Sequence, residues 1–230
     1  MQAVIPPLAD SPLALSASRV ETGQPLTIHD AGLDSLLYVA GGAGSLALDG
    51  RTSDLGPRTA ALLLAGEQAT ITATSALELV RVTVGPVQDL HAALGPRETV
   101  MPVEPGRAEQ AFGTRAFQVL FGPHNGSIRA TLFTGFIPPG RSPWHYHLYD
   151  EIVWIPEGPG RLHRPGSEEP EPLAAGSAFR IRPREVHIVE NASAEHEMTV
   201  VGVFTPAGTP SAAYLADVAD AGNIAGAVIS

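Results

Sequence analysis

Two imidazoles two residues apart, a carboxylate four residues later and a third imidazole further downstream could together hold a metal ion. They are His145, His147, Glu151 and His187. Alternate residues of an extended strand share a face, so His145 and His147 can converge on one point. Glu151 opens the apolar run Glu151–Ile155, which reads as the next strand after a tight turn, and it can reach the same point. His187 lies in the stretch from Gly176 to Asn191 and is the fourth candidate. Three neutral nitrogens and one carboxylate oxygen suit a divalent transition metal.

The stretch from Gly140 to Gly158 resembles the first cupin motif: a glycine, His-x-His, three residues, Glu, six residues, Gly. Gly176, His187 and Asn191 resemble the later motif of the same family, G…H-x3-N. Two departures stand out. Gly140 is one residue nearer to His145 than the family spacing. The family's P-x-G turn is occupied by Arg182 and Arg184, with Pro183 displaced by one. All four ligand positions are filled. The resemblance implies a double-stranded β-helix, or jelly-roll, barrel with one divalent transition metal per chain (Mn, Fe, Ni, Co or Zn) on His145, His147, Glu151 and His187. In this family such an ion typically keeps positions open for water or substrate.

Around these four, Tyr149 and His163 are the candidates for moving protons. Arg129, Arg180 and Arg182 are candidates for gripping a substrate carboxylate, because a planar guanidinium pairs bidentately with that group. Tyr146 alternates with the ligands, so its ring points away from the metal on a regular strand. Asn191 orients or caps the surroundings or is purely structural, Phe117, Phe133 and Trp154 read as core, and His124 sits in an exposed turn.

Composition narrows the partners. A formal net charge of −10 without a Lys/Arg cluster argues against nucleic acid or an anionic membrane. Zero cysteines excludes disulfides, thiolate ligands and a cysteine nucleophile. Residues 1–7 lack a basic segment followed by an apolar one, and no run reaches the roughly 20 apolar residues of a membrane span. A cytoplasmic protein is the resulting expectation. The 24 glycines and 21 prolines, free of low-complexity runs, fit many short strands joined by turns.

The sequence also repeats itself. At an offset of 116 residues Gly42 falls on Gly158, Gly44 on Gly160, Leu46 on Leu162, Gly50 on Gly166 and Tyr38 on Trp154. The same offset sets His29 on His145, Ala31 on His147 and Ser35 on Glu151. At 118, Ala69 falls on His187 and Ala73 on Asn191. The glycines persist while three of four ligands are lost, which predicts an all-β chain of two cupin barrels (a "bicupin"), the first degenerate. The expected layout is an arm over residues 1–18, a degenerate barrel over 19–85 and a linker over 86–112. A metal-binding barrel over 113–206 and a tail over 207–230 complete it. Short helices are expected at Val87–Leu94 and Ser211–Ala221, and the apolar run from Asn223 to Ser230 is expected to pack on something.

Within the family this ligand set serves oxygenases, isomerases, decarboxylases, lyases and hydrolases. The resemblance therefore implies a metal-dependent enzyme on a small carboxylate- or hydroxyl-bearing molecule, of oxygenase or isomerase type. The alternative is a non-catalytic small-molecule or metal-binding protein. A homodimer fits the family.

Overall fold

The computed structural model describes residues 4–87, 92–111 and 114–216. Regular structure there is β throughout, apart from two single-turn 3-10 segments at Pro105–Arg107 and Pro123–Asn125. No helix among the described residues is long and apolar enough to cross a membrane.

The first eight strands are β1 (Val4–Ile5), β2 (Leu13–Val20), β3 (Leu26–His29), β4 (Asp34–Leu48), β5 (Arg51–Leu55), β6 (Thr59–Leu63), β7 (Gln68–Val84) and β8 (Val100–Pro102). They form one antiparallel sheet in which the long strands β4 and β7 pair along most of their length. The second half begins with β9 (Glu109–Gln110), β10 (Ala116–Phe121), β11 (Thr131–Ile137), β12 (His145–His147), β13 (Asp150–Trp154) and β14 (Gly160–His163). It continues with β15 (Glu171–Leu173), β16 (Ala178–Ile181), β17 (Ile188–Asn191), β18 (Met198–Thr205) and β19 (Ala213–Leu215). These make a six-stranded sheet in the order β16-β13-β18-β11-β10-β9, a three-stranded sheet β15-β14-β17 and the pair β12-β19.

The repeat read from the sequence reappears in the pairing register. Gly44 opposes Leu55 and Ala73 in the first half, and Gly160 opposes Leu173 and Asn191 in the second. Ser35 opposes Leu63 as Glu151 opposes Ile181. The halves differ in continuity. Where β4 runs unbroken through the bulges at Gly41 and Ala43, the second half is cut between β13 and β14 by Pro156 and Pro159, whose rings have no N–H for a ladder. Gly42 is required at its bulge: its φ is +80°, and a Cβ there would lie 2.0 Å from the carbonyl oxygen of Ala76.

The period of two decides which side chains meet. From β4, Leu36 and Tyr38 enter a core shared by both halves, while Leu37 and Val39 fill the interior of the first. From β13, Ile152 and Trp154 enter the same shared core, leaving Glu151 and Val153 to face the interior of the second. Tyr38 and Trp154, equivalent under the repeat, touch each other with ring centroids 6.0 Å apart.

The expected arm is a working part of this core. Leu13 and Leu15 on β2 are 0% and 2% exposed within it, each worth roughly 1.5–3 kcal/mol of burial. Of the helix expected at Val87–Leu94, residues 88–91 lie outside the described residues, and 92–94 are not helical. The helix expected at Ser211–Ala221 is corrected over its described part, where Ala213–Leu215 is β19. Its three residues find ladder partners on β12, and tertiary pairing overrides a weak local helical preference. The rest of that segment, and the run from Asn223 to Ser230, lie outside the described residues.

Candidate metal centre

β12 places His145 and His147 on one face, and both line a cavity of about 130 Å³. One edge of β12 pairs with β19. On its other side His145 and His187 exchange backbone hydrogen bonds, 3.3 Å from the His145 amide and 2.9 Å from the His187 amide. The His187 ring therefore lies beside those of His145 and His147, with centroids 4.4 and 5.2 Å away. Glu151, turned inward by the alternation along β13, brings Oε2 to 2.9 Å from His147 Nε2. The structure thus brings all four predicted ligands to one cavity.

The hydrogen bonds at the other ring nitrogens decide the chemistry of these histidines. Nδ1 of His145 lies 3.1 Å from the carbonyl oxygen of Pro143, Nδ1 of His147 2.9 Å from that of Tyr149, and Nδ1 of His187 2.9 Å from that of Glu185. A carbonyl only accepts, so each Nδ1 is the N–H donor. A neutral ring then keeps a bare lone pair on Nε2, the form that binds metals. Burial holds the His145 pKa down at about 4, and burial with the neighbouring His145 holds that of His187 well below its usual value.

His147 and Glu151 are at ion-pair distance, yet the buried His147 Nε2 has no hydrogen-bond partner. With Nδ1 as donor, a lone pair faces a carboxylate that only accepts, and the arrangement is at rest only with a positive charge, a proton or a metal ion, between them. Among the described residues no three such side chains are gathered around a single point, so an ion bound here would have to draw the donors together.

The turn before His187 departs from the family pattern in sequence and keeps its shape. Pro183 supplies the fixed φ of the first turn position, and Arg184 takes the left-handed position at φ +68°. The Glu185 amide closes the turn on the Arg182 carbonyl at 3.0 Å, and the Arg184 amide donates to the His147 carbonyl at 2.7 Å. Asn191 ties strands together through the carbonyls of Ile137 and His196 at 2.8 and 2.7 Å, a structural role.

These pKa directions carry a pH dependence. A histidine that resists protonation in the folded chain, but not in the unfolded one, makes the unfolded state bind more protons as pH falls. For the metal-free chain, stability is therefore expected to decline from about pH 6.5 down to about pH 4, by up to about 1.4 kcal/mol per pH unit for each such histidine. Urea midpoints across that range check it, and a flat profile would contradict the burial argument.

Of the remaining candidates, Tyr149 lines the cavity, stacked between His147 and Phe204 with both centroids 4.0 Å away. Burial and the Glu151 charge raise its pKa, so the phenol stays protonated. His163 lies away from the cavity lining and pairs with Glu190 at 2.5 Å. The three arginines expected at a substrate carboxylate are engaged elsewhere. Arg129 pairs with Asp34 at 3.1 Å. Arg180 reaches Asp150 at 3.5 Å and the Leu13 carbonyl at 2.8 Å, and Arg182 pairs with Asp10. Each meets groups of the N-terminal half, Asp34, the Leu13 carbonyl and Asp10 respectively, and none lines the cavity. Tyr146 points away, stacked on Tyr214 at 5.4 Å. Phe117 and Phe133 are both core and cavity wall, and Trp154 is core.

Sequence reading missed Arg115, Ser142 and Gly202. Arg115 and Ser142 line the cavity, and Gly202 packs beneath Phe133 and Glu151. The usable signal was parity: Arg115 and Phe117 fall on one face of an extended segment, as do Gly202 and the buried Val200 and Phe204.

Residues 133–204 match a family model described as the cupin domain. Similar solved structures include a cupin 2 conserved barrel domain protein from Leptotrichia buccalis, 14% identical with a TM-score of 0.62, covering 89% of this chain and 88% of that one. Oxalate decarboxylase from Bacillus subtilis is also 14% identical, with a TM-score of 0.70 over 90% of this chain and 71% of that one. AerE from Microcystis aeruginosa is 13% identical, with a TM-score of 0.68 over 89% and 96%. Likeness at these identities establishes the cupin-type all-β fold and leaves activity to the site. No curated protein matches the chain.

Proposed function

We propose that this chain is a metal-dependent enzyme of two-cupin organisation, with one divalent transition ion on His145, His147, Glu151 and His187. The observation that carries this reading is the buried lone pair of His147 Nε2 facing the Glu151 carboxylate, with all three Nδ1 atoms committed to carbonyls. Support for an N-terminal half that is scaffold comes from its interior, which is filled by Leu37, Val39, Leu46, Ile71 and other apolar side chains. Its ligand-equivalent positions include Ala31, Ser35 and Ala69, and His29 is exposed and bound to the Glu67 carbonyl at 3.2 Å.

An ion in this site would supply Lewis acidity, and with manganese or iron a one-electron couple. The protein's own groups define the rest. Neutral imidazoles and one carboxylate leave the ion a net positive charge, which attracts an anionic or hydroxyl-bearing substrate. Phe133, Val153 and Val200 make part of the wall apolar, which strengthens charge interactions beside them. Tyr149, kept protonated, can donate a hydrogen bond but does not act as a base at neutral pH. The reaction fitting these parts is of oxygenase or isomerase type on a small molecule.

Elemental analysis of the purified protein tests the first half of this reading and is expected to give about one transition ion per chain. Turnover and oxygen uptake on a panel of diketones, catechols, oxalate-like acids and keto-sugars test the second. A fully metallated protein inert on the whole panel would favour a ligand-holding role, which the small, largely apolar cavity also suits.

A further inference from the structure

We propose that Arg115 and Ser142 form an anion-holding subsite in the metal cavity, fixing the carboxylate of a small and otherwise apolar monocarboxylate beside the three histidines. This names the substrate class of the proposed enzyme and rests on that reading. Arg115 lies just ahead of β10 and lines the cavity together with His145, His147 and His187. A guanidinium has five N–H donors. Among the described residues, that of Arg115 spends a donor only on the Val189 carbonyl, and no carboxylate lies within ion-pair distance. Arg164, by contrast, holds Glu171 and Glu185 at 3.0 and 2.6 Å. Burial lowers the Arg115 pKa to about 10, so the group remains a cation at neutral pH.

Ser142 supplies a second donor. Its hydroxyl is buried in the same cavity wall and has no hydrogen-bond partner. A buried hydroxyl without a partner and a guanidinium with donors to spare, in one cavity wall, suit a shared acceptor. One guanidinium matches one carboxylate. Beyond the four proposed ligands, Tyr149 and Tyr214, the wall is chiefly apolar, with Phe117, Phe133, Ile137, Ile181 and Val189 among its residues. A sugar would leave hydroxyls unpaired against that wall, whereas a hydrocarbon chain or ring is at home there. At about 130 Å³ the cavity is near the ~150 Å³ apolar cavity that takes a benzene ring.

The test titrates the full-length, metal-loaded chain with butyrate and benzoate and with their uncharged counterparts butyramide and benzamide, by calorimetry and thermal shift. The acids are expected to bind at least about tenfold tighter than the amides, since charge-assisted hydrogen bonds are roughly twice as strong as neutral ones. Arg115→Gln should weaken acid binding on the order of 100-fold, Arg115→Lys should retain part of it, and Ser142→Ala should weaken it about fivefold. Acids and amides binding alike, neither acid binding, or Arg115→Gln binding acids as well as wild type would overturn the subsite. Metal content of each sample separates the two readings. An ion present without acid preference defeats the subsite alone. Acid preference lost in Arg115→Gln, in a chain that takes up no metal, defeats the proposed enzyme and leaves the subsite standing. Where Arg115→Gln fails to fold, the acid–amide comparison is repeated on the chelator-stripped wild type, in which no ion attracts the acid, and acids binding no tighter than amides there would overturn the subsite.

Discussion

His147→Ala is expected to abolish stoichiometric metal binding, with the ion content falling from about one per chain to near zero. His147 touches Glu151 and, alone among the three histidines, carries a ring nitrogen that is fully buried and unpartnered. Loss of even an outer supporting group commonly costs 10–100-fold in metal affinity, and loss of a donor costs more. A ligand present at 100 times its dissociation constant stabilises the folded chain by about 2.7 kcal/mol. For a chain of this size that is about 5–10 °C in Tm, which the variant should lose. Wild type stripped with a chelator should melt close to the variant, since both lack the ion. Metal content unchanged in His147→Ala would refute the assignment of this site.

Gly202→Ala is expected to damage both stability and the site, although glycine and alanine differ by a single methyl group. Gly202 lies on β18 opposite Phe133 on β11 and Val153 on β13. A Cβ there would sit 2.3 and 2.5 Å from two atoms of the Phe133 ring and 2.9 Å from Glu151 Oε1. Phe133 packs on Phe204 with centroids 5.9 Å apart, so it can yield only by swinging into the cavity. Over-packing of this kind costs about 1–3 kcal/mol, or about 2–12 °C in Tm, and it moves the carboxylate away from His147. Reduced metal affinity should accompany the lower Tm. Gly56→Ala is the control, because a Cβ at Gly56 meets nothing within 4 Å. Equal melting of the two variants would show that the contact under Glu151 is not tight.

Both residues bear on how the site can be recognised from sequence. His145 and His147 were legible because a period of two is a local property of a strand, and Glu151 because the tight turn after them is local too. His187 was legible only through the family resemblance, since nothing local links it to His145; the bridge that joins them spans two separate segments. Gly202 was invisible as a site residue. A glycine advertises itself in a turn, but here it serves as the floor beneath a carboxylate that reaches it from another strand.

The arginines make the same point from the opposite side. Residue type suggested Arg129, Arg180 and Arg182 for a carboxylate, and the carboxylates and carbonyls they meet are the chain's own, chiefly from the other half. Arg115 has the same side chain and lies in the cavity instead. Its outcome depends on which face of which sheet it leaves, and on what the opposite half offers there.

The all-β class, the turn positions, the repeat and the shared strand face of His145 and His147 follow from the order of residues, because periodicity and turn chemistry act within a few residues or recur at a fixed offset. Tertiary structure decided the rest: the burial of Leu13 and Leu15 between the halves, the pairing of β19 with β12 and the direction of each arginine. It also set the lone pair of His147 against Glu151. Those outcomes depend on which distant surfaces come into contact and exclude water, and no short stretch of chain encodes that by itself.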